Sequence, residues 1–159
     1  MKPRDPQLAL RLEAAAPVAG ERWRDGAAVA YLGGALTLRL DTSLKEAALI
    51  DGELHLPLPP EATPRQVQDA AEAWLRKRAA RIVEANVVMA ARRLGRPVPK
   101  VTLSFAARAS WAQADARSDS LRCHWRLIEQ SEETIAQVVA RGVAALPAPA
   151  AIADLFALA

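Results

Sequence analysis

Between Pro64 and Gly95 the chain contains neither proline nor glycine, and this stretch limits the fold more than any other. Thr63 is a natural N-cap, Pro64 suits the first helical position, and Gly95 with Pro97 supplies a stop. The signals predict one helix from Pro64 to Leu94, on the order of 45 Å long at about 1.5 Å per residue if unbroken. A kink or break near Glu84 to Val88 is the alternative, although no breaker marks it. Val67, Ala71, Trp74, Leu75, Ile82 and Met89 trace its expected apolar face.

A helix of this length needs other elements to cover it, and the flanking segments alternate as strands do. Asp25-Gly26 and Gly33-Gly34 are turn signals around a short apolar piece from Ala27 to Leu32. Leu36, Leu38 and Leu40 alternate with Thr37 and Arg39. Lys45 to Ile50 and Leu54 to Leu58 form a hairpin about Asp51-Gly52, with Pro57 restricting the second strand to an edge or an early end. Beyond the long helix, Val101, Leu103 and Phe105 define another strand. A polar, alanine-rich connection runs from Ala106 to Ser120. Leu121, Cys123 and Trp125 then alternate with Arg122, His124 and Arg126 and pair with the preceding strand. Leu8, Leu10 and Leu12 read as an edge strand or a flexible arm within a loose lead-in over residues 1–24.

A second amphipathic helix follows. Ile135, Val138, Val139, Val143 and Leu146 recur at three- and four-residue steps, Ser131 can cap the start, and Glu132 and Glu133 occupy the first turn. Arg141 and Ala145 stand four apart and share a face, with Gly142 beside them. Glycine inside a helix costs about 0.8–1.0 kcal/mol relative to alanine, so Gly142→Glu is expected to help the helix. Pro147 and Pro149 end it, and Ile152 to Leu158 suggest a last short helix. The elements predict an α+β domain: a small, mostly antiparallel sheet packed by the two helices. The sequence shows no internal repeat.

Lysine and arginine exceed aspartate and glutamate by only three charges, too few to argue for a nucleic-acid or membrane-surface protein. Arg76, Lys77, Arg78, Arg81, Arg92, Arg93 and Arg96 form the most basic stretch. They read as a solvated helix face whose stems cover apolar surface, with phosphate contact as the alternative. No segment approaches the roughly 20 apolar residues of a membrane helix. The N-terminus lacks a signal-peptide run, and Cys123 is the single cysteine. A reducing, cytoplasmic setting is therefore expected, with Cys123 as a small buried hydrophobe. His55 and His124 are the only histidines. They fall on different strands and read as surface or hydrogen-bonded groups, not ligands. No Gly-rich phosphate loop, nucleophile elbow or paired-cysteine spacing is present. Asp115 and Asp119 read as solvated loop residues.

Several of these segments resemble the YgjP-like branch of the zincin metallopeptidases, relatives of the SprT and WLM proteins. Leu36-Thr37-Leu38-Arg39-Leu40-Asp41 resembles the family's first sheet strand. Leu58-Pro59-Pro60, ahead of a helix containing Ala73-Trp74-Leu75-Arg76, is similar to its next landmark. His124-Trp125-Arg126-Leu127-Ile128 resembles the Asn-Trp-Arg-Leu strand upstream of the metal helix. Trp111, after Arg108, stands at the tryptophan of an Arg-Trp-Gly-Ser-Cys motif. The resemblance runs from Asp25 to Ala159 and implies one zincin-like domain over residues 25–159.

The departures fall on the chemistry. Ala112-Gln113-Ala114 replaces Gly-Ser-Cys, and His124 replaces the asparagine. On the helix that reads His-Glu-x-x-His in the family, Arg141 stands at the first ligand, Gly142 at the general base and Ala145 at the second ligand. The third histidine falls on Ala151. A zinc hydrolase needs converging donors and a base for the metal-bound water, and these residues offer neither. The resemblance thus implies a cleft about Trp111, His124, Arg126, Arg141 and Asp154, with Asp154 the expected carboxylate for Arg141. It implies no zinc, no other cofactor and no catalytic residue. The expected function is a catalytically inactive relative of a metal-dependent peptidase, acting as a binding or regulatory module for a protein or peptide partner and not at a membrane. The alternatives are an active hydrolase with a relocated or externally completed site, and nucleic-acid binding through the arginine-rich helix.

Overall fold

The computed structural model describes residues 22–147. The edge strand or arm at Leu8 to Leu12, most of the lead-in, the last short helix, Ala151 and Asp154 lie outside the described residues. The elements run β1 (Ala28–Tyr31), β2 (Gly34–Leu40), β3 (Ala48–Ile50), β4 (Glu53–Leu56), α1 (Pro64–Arg93), β5 (Lys100–Ser104), β6 (Ala112–Asp115), β7 (Ser120–His124), a 3-10 turn (Trp125–Glu129) and α2 (Glu132–Ala144). The architecture is α+β, as expected, with two small sheets where the sequence suggested one. Their orders are β1-β2-β4-β3 and β5-β7-β6. Pairing is mostly antiparallel, with β4 parallel to β2 and β7 parallel to β5. Among the described residues no helix is long and apolar enough to cross a membrane.

The chain divides into two compact units. Among the described residues the first holds 22–29 and 36–72, including most of the four-stranded sheet and the opening turns of α1. Asp51 and Gly52 both take positive φ, the left-handed pair that a two-residue hairpin between β3 and β4 requires. β4 ends one residue before Pro57, which has no N–H to extend the ladder. Leu38, Leu54 and Leu56 are fully buried, as are Val67 and Ala71 on α1. The start of α1 is a reciprocal cap: Thr63 Oγ1 accepts from Gln66 N–H, and Gln66 Oε1 accepts from Thr63 N–H.

Among the described residues the second unit holds 30–35 and 73–147, with the three-stranded sheet and α2. α1 stays continuous through Glu84 to Val88, so the proposed kink is absent. Its buried seam in this unit is Leu75, Ala79, Val83, Val87 and Ala91, at successive steps of four. Trp74 and Ile82 sit beside the seam, half-buried, and Met89 is exposed. Alanines and valines supply the seam, and small side chains allow close packing. Val83, Val87 and Ala90 join Leu121, Cys123, Leu127, Ile135, Val139 and Val143 in one core cluster.

Two segments depart from the expected secondary structure. The connection after β5 contains a strand, β6, whose Ala112 and Ala114 pack on the core cluster. Trp125 and Arg126 lie in the 3-10 turn, because β7 stops at His124. That turn receives the β1–β2 connection: Leu32 N–H donates to Ile128 O at 2.7 Å, and Gly33 N–H donates to Glu129 O at 3.1 Å.

Candidate functional site

Helix α2 forms where its cap and periodicity require it. Ser131 Oγ accepts from Thr134 N–H at 3.1 Å, and Glu132 and Glu133 stand in the first turn. Ile135, Val139 and Val143 point into the core and are fully buried, with Leu146 just beyond the helix also buried. The neighbouring stripe, Val138, Arg141, Gly142 and Ala145, faces β6. With Trp111, Ala112 and Ala114 it lines a shallow groove of about 320 Å³. Arg141, Gly142 and Ala145 therefore share one face, as their spacing implies.

The groove is apolar except for one cation. Arg141 is exposed and makes no ion pair among the described residues; its expected partner, Asp154, lies outside them. Gly142 is the tightest point. A Cβ built on it would stand 2.6 Å from Leu121 Cδ1, 3.3 Å from Leu121 Cδ2 and 3.5 Å from Ala112 Cβ. Carbon atoms at rest approach to about 3.5–4.0 Å, so the buried Leu121 side chain occupies the space into which any side chain at position 142 would start. The expectation that Gly142→Glu simply helps the helix is thus corrected: propensity favours it, but packing opposes it.

The remaining cleft residues divide. Trp111 borders the groove, 45 % exposed, and its ring meets His124 edge-on at 6.1 Å between centroids. His124 is buried, and both ring nitrogens are engaged. Nδ1 accepts from Arg126 N–H at 3.0 Å, which leaves Nε2 to carry the proton and donate to Ala106 O at 2.7 Å. Its backbone N–H also donates to Trp111 O at 2.9 Å. His124 thus fastens both ends of the 106–111 loop and has no lone pair left for a metal. Arg126 does not line the groove. Its guanidinium stacks on Trp125 at 4.6 Å and reaches Glu129 Oε2 at 3.3 Å.

His55 belongs to the first unit. Its Nδ1 lies 3.6 Å from Asp41 Oδ2 and its Nε2 lies 3.6 Å from Glu53 Oε1. The Asp41 carboxyl is held below its usual range, chiefly by the hydrogen bonds it accepts from Ser43. Cys123 is fully buried and desolvation pushes its thiol up to about 11, so it is no nucleophile at neutral pH. Among the described residues no group of three His, Cys, Asp or Glu side chains could hold a metal ion. Much of the basic stretch is engaged internally. Arg76 stacks on Phe105 and Trp125, Arg78 Nε donates to Tyr31 Oη at 3.1 Å, and Arg96 forms a 2.6 Å ion pair with Asp119.

Sequence reasoning missed β6 and Leu121 as parts of this site. The alternation of alanine with polar residues over Ala112 to Asp115 was the available signal for the strand. The contact of Leu121 with Gly142 has no local signature.

The described residues thus form an α+β architecture with a groove between an edge strand and a capped helix. The model of the YgjP-like family, described as a metallopeptidase domain, matches residues 7–141. The chain belongs to the YgjP-like family. The matched segment takes in Arg141 and stops short of Gly142 and Ala145. A search of curated proteins and a search of solved structures each find no match.

Proposed function

We propose that this protein is a non-catalytic member of the YgjP-like family that has kept the groove beside α2 for binding and not for hydrolysis. The observation that carries the reading is the contact between Gly142 and Leu121. At the position the resemblance assigns to the general base there is no side chain, and one could start there only if the buried Leu121 shifted. The positions assigned to two ligands carry a guanidinium and a methyl group, neither of which donates electrons to a metal. Arg141 adds a fixed positive charge where a dication would have to sit, and the two repel. The residues present do not fit zinc. The lining suits a protein or peptide segment: Trp111 and Val138 offer apolar contact, and Arg141 offers an acidic side chain a partner.

The test is metal analysis of protein purified without added metal or chelator, followed by thermal melts with and without zinc. The parent is expected to carry no stoichiometric zinc and to melt at the same temperature in both. A variant with Arg141→His, Gly142→Glu, Ala145→His and Ala151→His, with Leu121→Ala to make room, is expected to gain about 2.7 kcal/mol at a hundredfold excess of zinc over its dissociation constant. Stoichiometric zinc in the parent, or peptidase activity that chelation abolishes, would overturn the proposal.

A further inference from the structure

The three-stranded sheet of the second unit has one face on the core and one face open. Val101, Leu103, Ala112, Ala114, Leu121 and Cys123 pack inward. By alternation Lys100, Thr102, Gln113, Asp115, Ser120 and Arg122 face outward. This open face, with the β6–β7 turn at its rim, forms a cleft of about 600 Å³. That volume lies within the range of small-molecule sites, roughly 300–1,000 Å³.

The register concentrates positive charge there. Thr102 pairs with Arg122 and Gln113 flanks Arg122 on the other side, while Lys100 pairs with Ser120 and Asp115 flanks Ser120. Lys100 and Arg122 are therefore diagonal neighbours on one face, and Arg117 lines the same cleft from the turn. None of the three forms an ion pair among the described residues. The one carboxylate in the cleft is partly engaged, since Asp115 Oδ1 accepts from Arg117 N–H at 3.0 Å. Nearby Asp119 is spent on Arg96. Three cations outnumber the one carboxylate of the cleft, and a bound polyanion lowers their mutual repulsion. The hydroxyls add donors: Ser118 Oγ and Ser120 Oγ lie 2.6 Å apart, so one donates to the other and the second keeps a proton for a ligand.

We propose that this cleft binds a small phosphorylated molecule, its phosphates held between Lys100, Arg117 and Arg122. Phosphate fits better than a single carboxylate because several oxygens can meet two guanidinium forks and an ammonium at once. No aromatic side chain lines the cleft, so a nucleobase would find no stacking surface, and the anionic group itself is what is recognised. The cleft shares only Ala114 with the groove beside α2, and its occupancy does not depend on whether that groove is catalytic.

Calorimetric titration of the full chain with inorganic pyrophosphate tests this. Binding is expected, and Arg122→Gln and Lys100→Gln are each expected to weaken it about 10- to 100-fold, the loss of one charged hydrogen bond. Arg65→Gln, on α1 in an exposed pair with Asp69, is expected to leave it unchanged. Asp115→Asn, which keeps an acceptor for the turn and removes the opposing charge, is expected to tighten it, a change that partial unfolding does not produce. Absence of binding at millimolar pyrophosphate overturns the proposal, as does equal weakening by Arg65→Gln. A single-stranded oligonucleotide that binds and is not displaced by pyrophosphate also overturns it, in favour of a nucleic-acid surface.

Discussion

Gly142→Ala places a methyl group 2.6 Å from Leu121 Cδ1, about an ångström inside normal contact. Two effects of opposite sign follow. Replacing Gly142, in the last turn of α2, gains at most the helix-interior propensity of about 0.8–1.0 kcal/mol. Forcing a methyl into a filled core costs about 1–3 kcal/mol. Leu121 is fully buried on β7, the central strand between β5 and β6, so its side chain cannot swing out to water. Packing should win, and the variant should lose roughly 0–2 kcal/mol. Leu121→Ala alone should cost about 2–5 kcal/mol. In that background the clash is gone, so adding Gly142→Ala should stabilise, by at most the interior propensity of about 0.8–1.0 kcal/mol. Urea unfolding of the four proteins, read by tryptophan fluorescence, gives the cycle. A coupling of about 1–3 kcal/mol is expected, against the 0.3–0.5 kcal/mol scatter of independent sites. If Gly142→Ala stabilises the parent by a full propensity increment and the two changes add, the reasoning about the occupied base position is refuted.

Desolvation raises the Cys123 thiol from 9.0 to about 11, so the folded state holds a proton that the unfolded chain releases in that window. The stability contribution is complete below pH 9 and falls as pH rises toward 11, by about 1.4 kcal/mol per unit, a decline that Cys123→Ala should lack in parallel denaturant titrations. Arg96 is 4 % exposed at its side chain and pairs with Asp119. Asp119→Asn keeps a residue that tolerates the positive φ there but should cost about 1–3 kcal/mol by leaving a buried cation short of its partner; an unchanged urea midpoint would count against it. Ser131→Ala removes the α2 cap and should cost about 1 kcal/mol, whereas Ser131→Asp should restore it. Ser43→Ala should raise the Asp41 carboxyl toward its ordinary value in an NMR titration, since Ser43 supplies the largest share of its depression.

Both helices were legible because their ends are written in local chemistry: Thr63 with Pro64 and Gln66, and Ser131 with two following glutamates. The α1 seam was less so. Met89 and Trp74 are bulkier yet lie off the seam, whereas Ala79 and Ala91 are at 1 % and 0 % exposure. Periodicity says which residues share a face and not which face wins burial, and a small side chain wins where elements come close. The strands showed by alternation, yet alternation does not name a strand's neighbours, which is why one sheet was expected and two occur. At the candidate site, spacing placed Arg141, Gly142 and Ala145 on one groove. Leu121 entered the site through the fold, twenty-one positions away from Gly142, and no window of sequence carries such a contact. The two ends of His124 could not be foreseen either, because its partners are backbone groups of a loop.

The two sheets repeat one arrangement. In each, a strand is followed by a hairpin whose second arm inserts beside the first strand, giving β2-β4-β3 and β5-β7-β6. The strand that comes last in sequence is the spine. During synthesis, β5 and β6 therefore emerge with no partner for each other and stay unpaired until residues 120–124 arrive. Assembly of the second sheet is set by a late segment, and helix α2, which packs on β6 and β7, cannot precede it. A chain cut short after Ser118 would lose the middle of its sheet and not an edge. It would leave two separated strand edges open to other chains, the condition in which partly made β proteins aggregate.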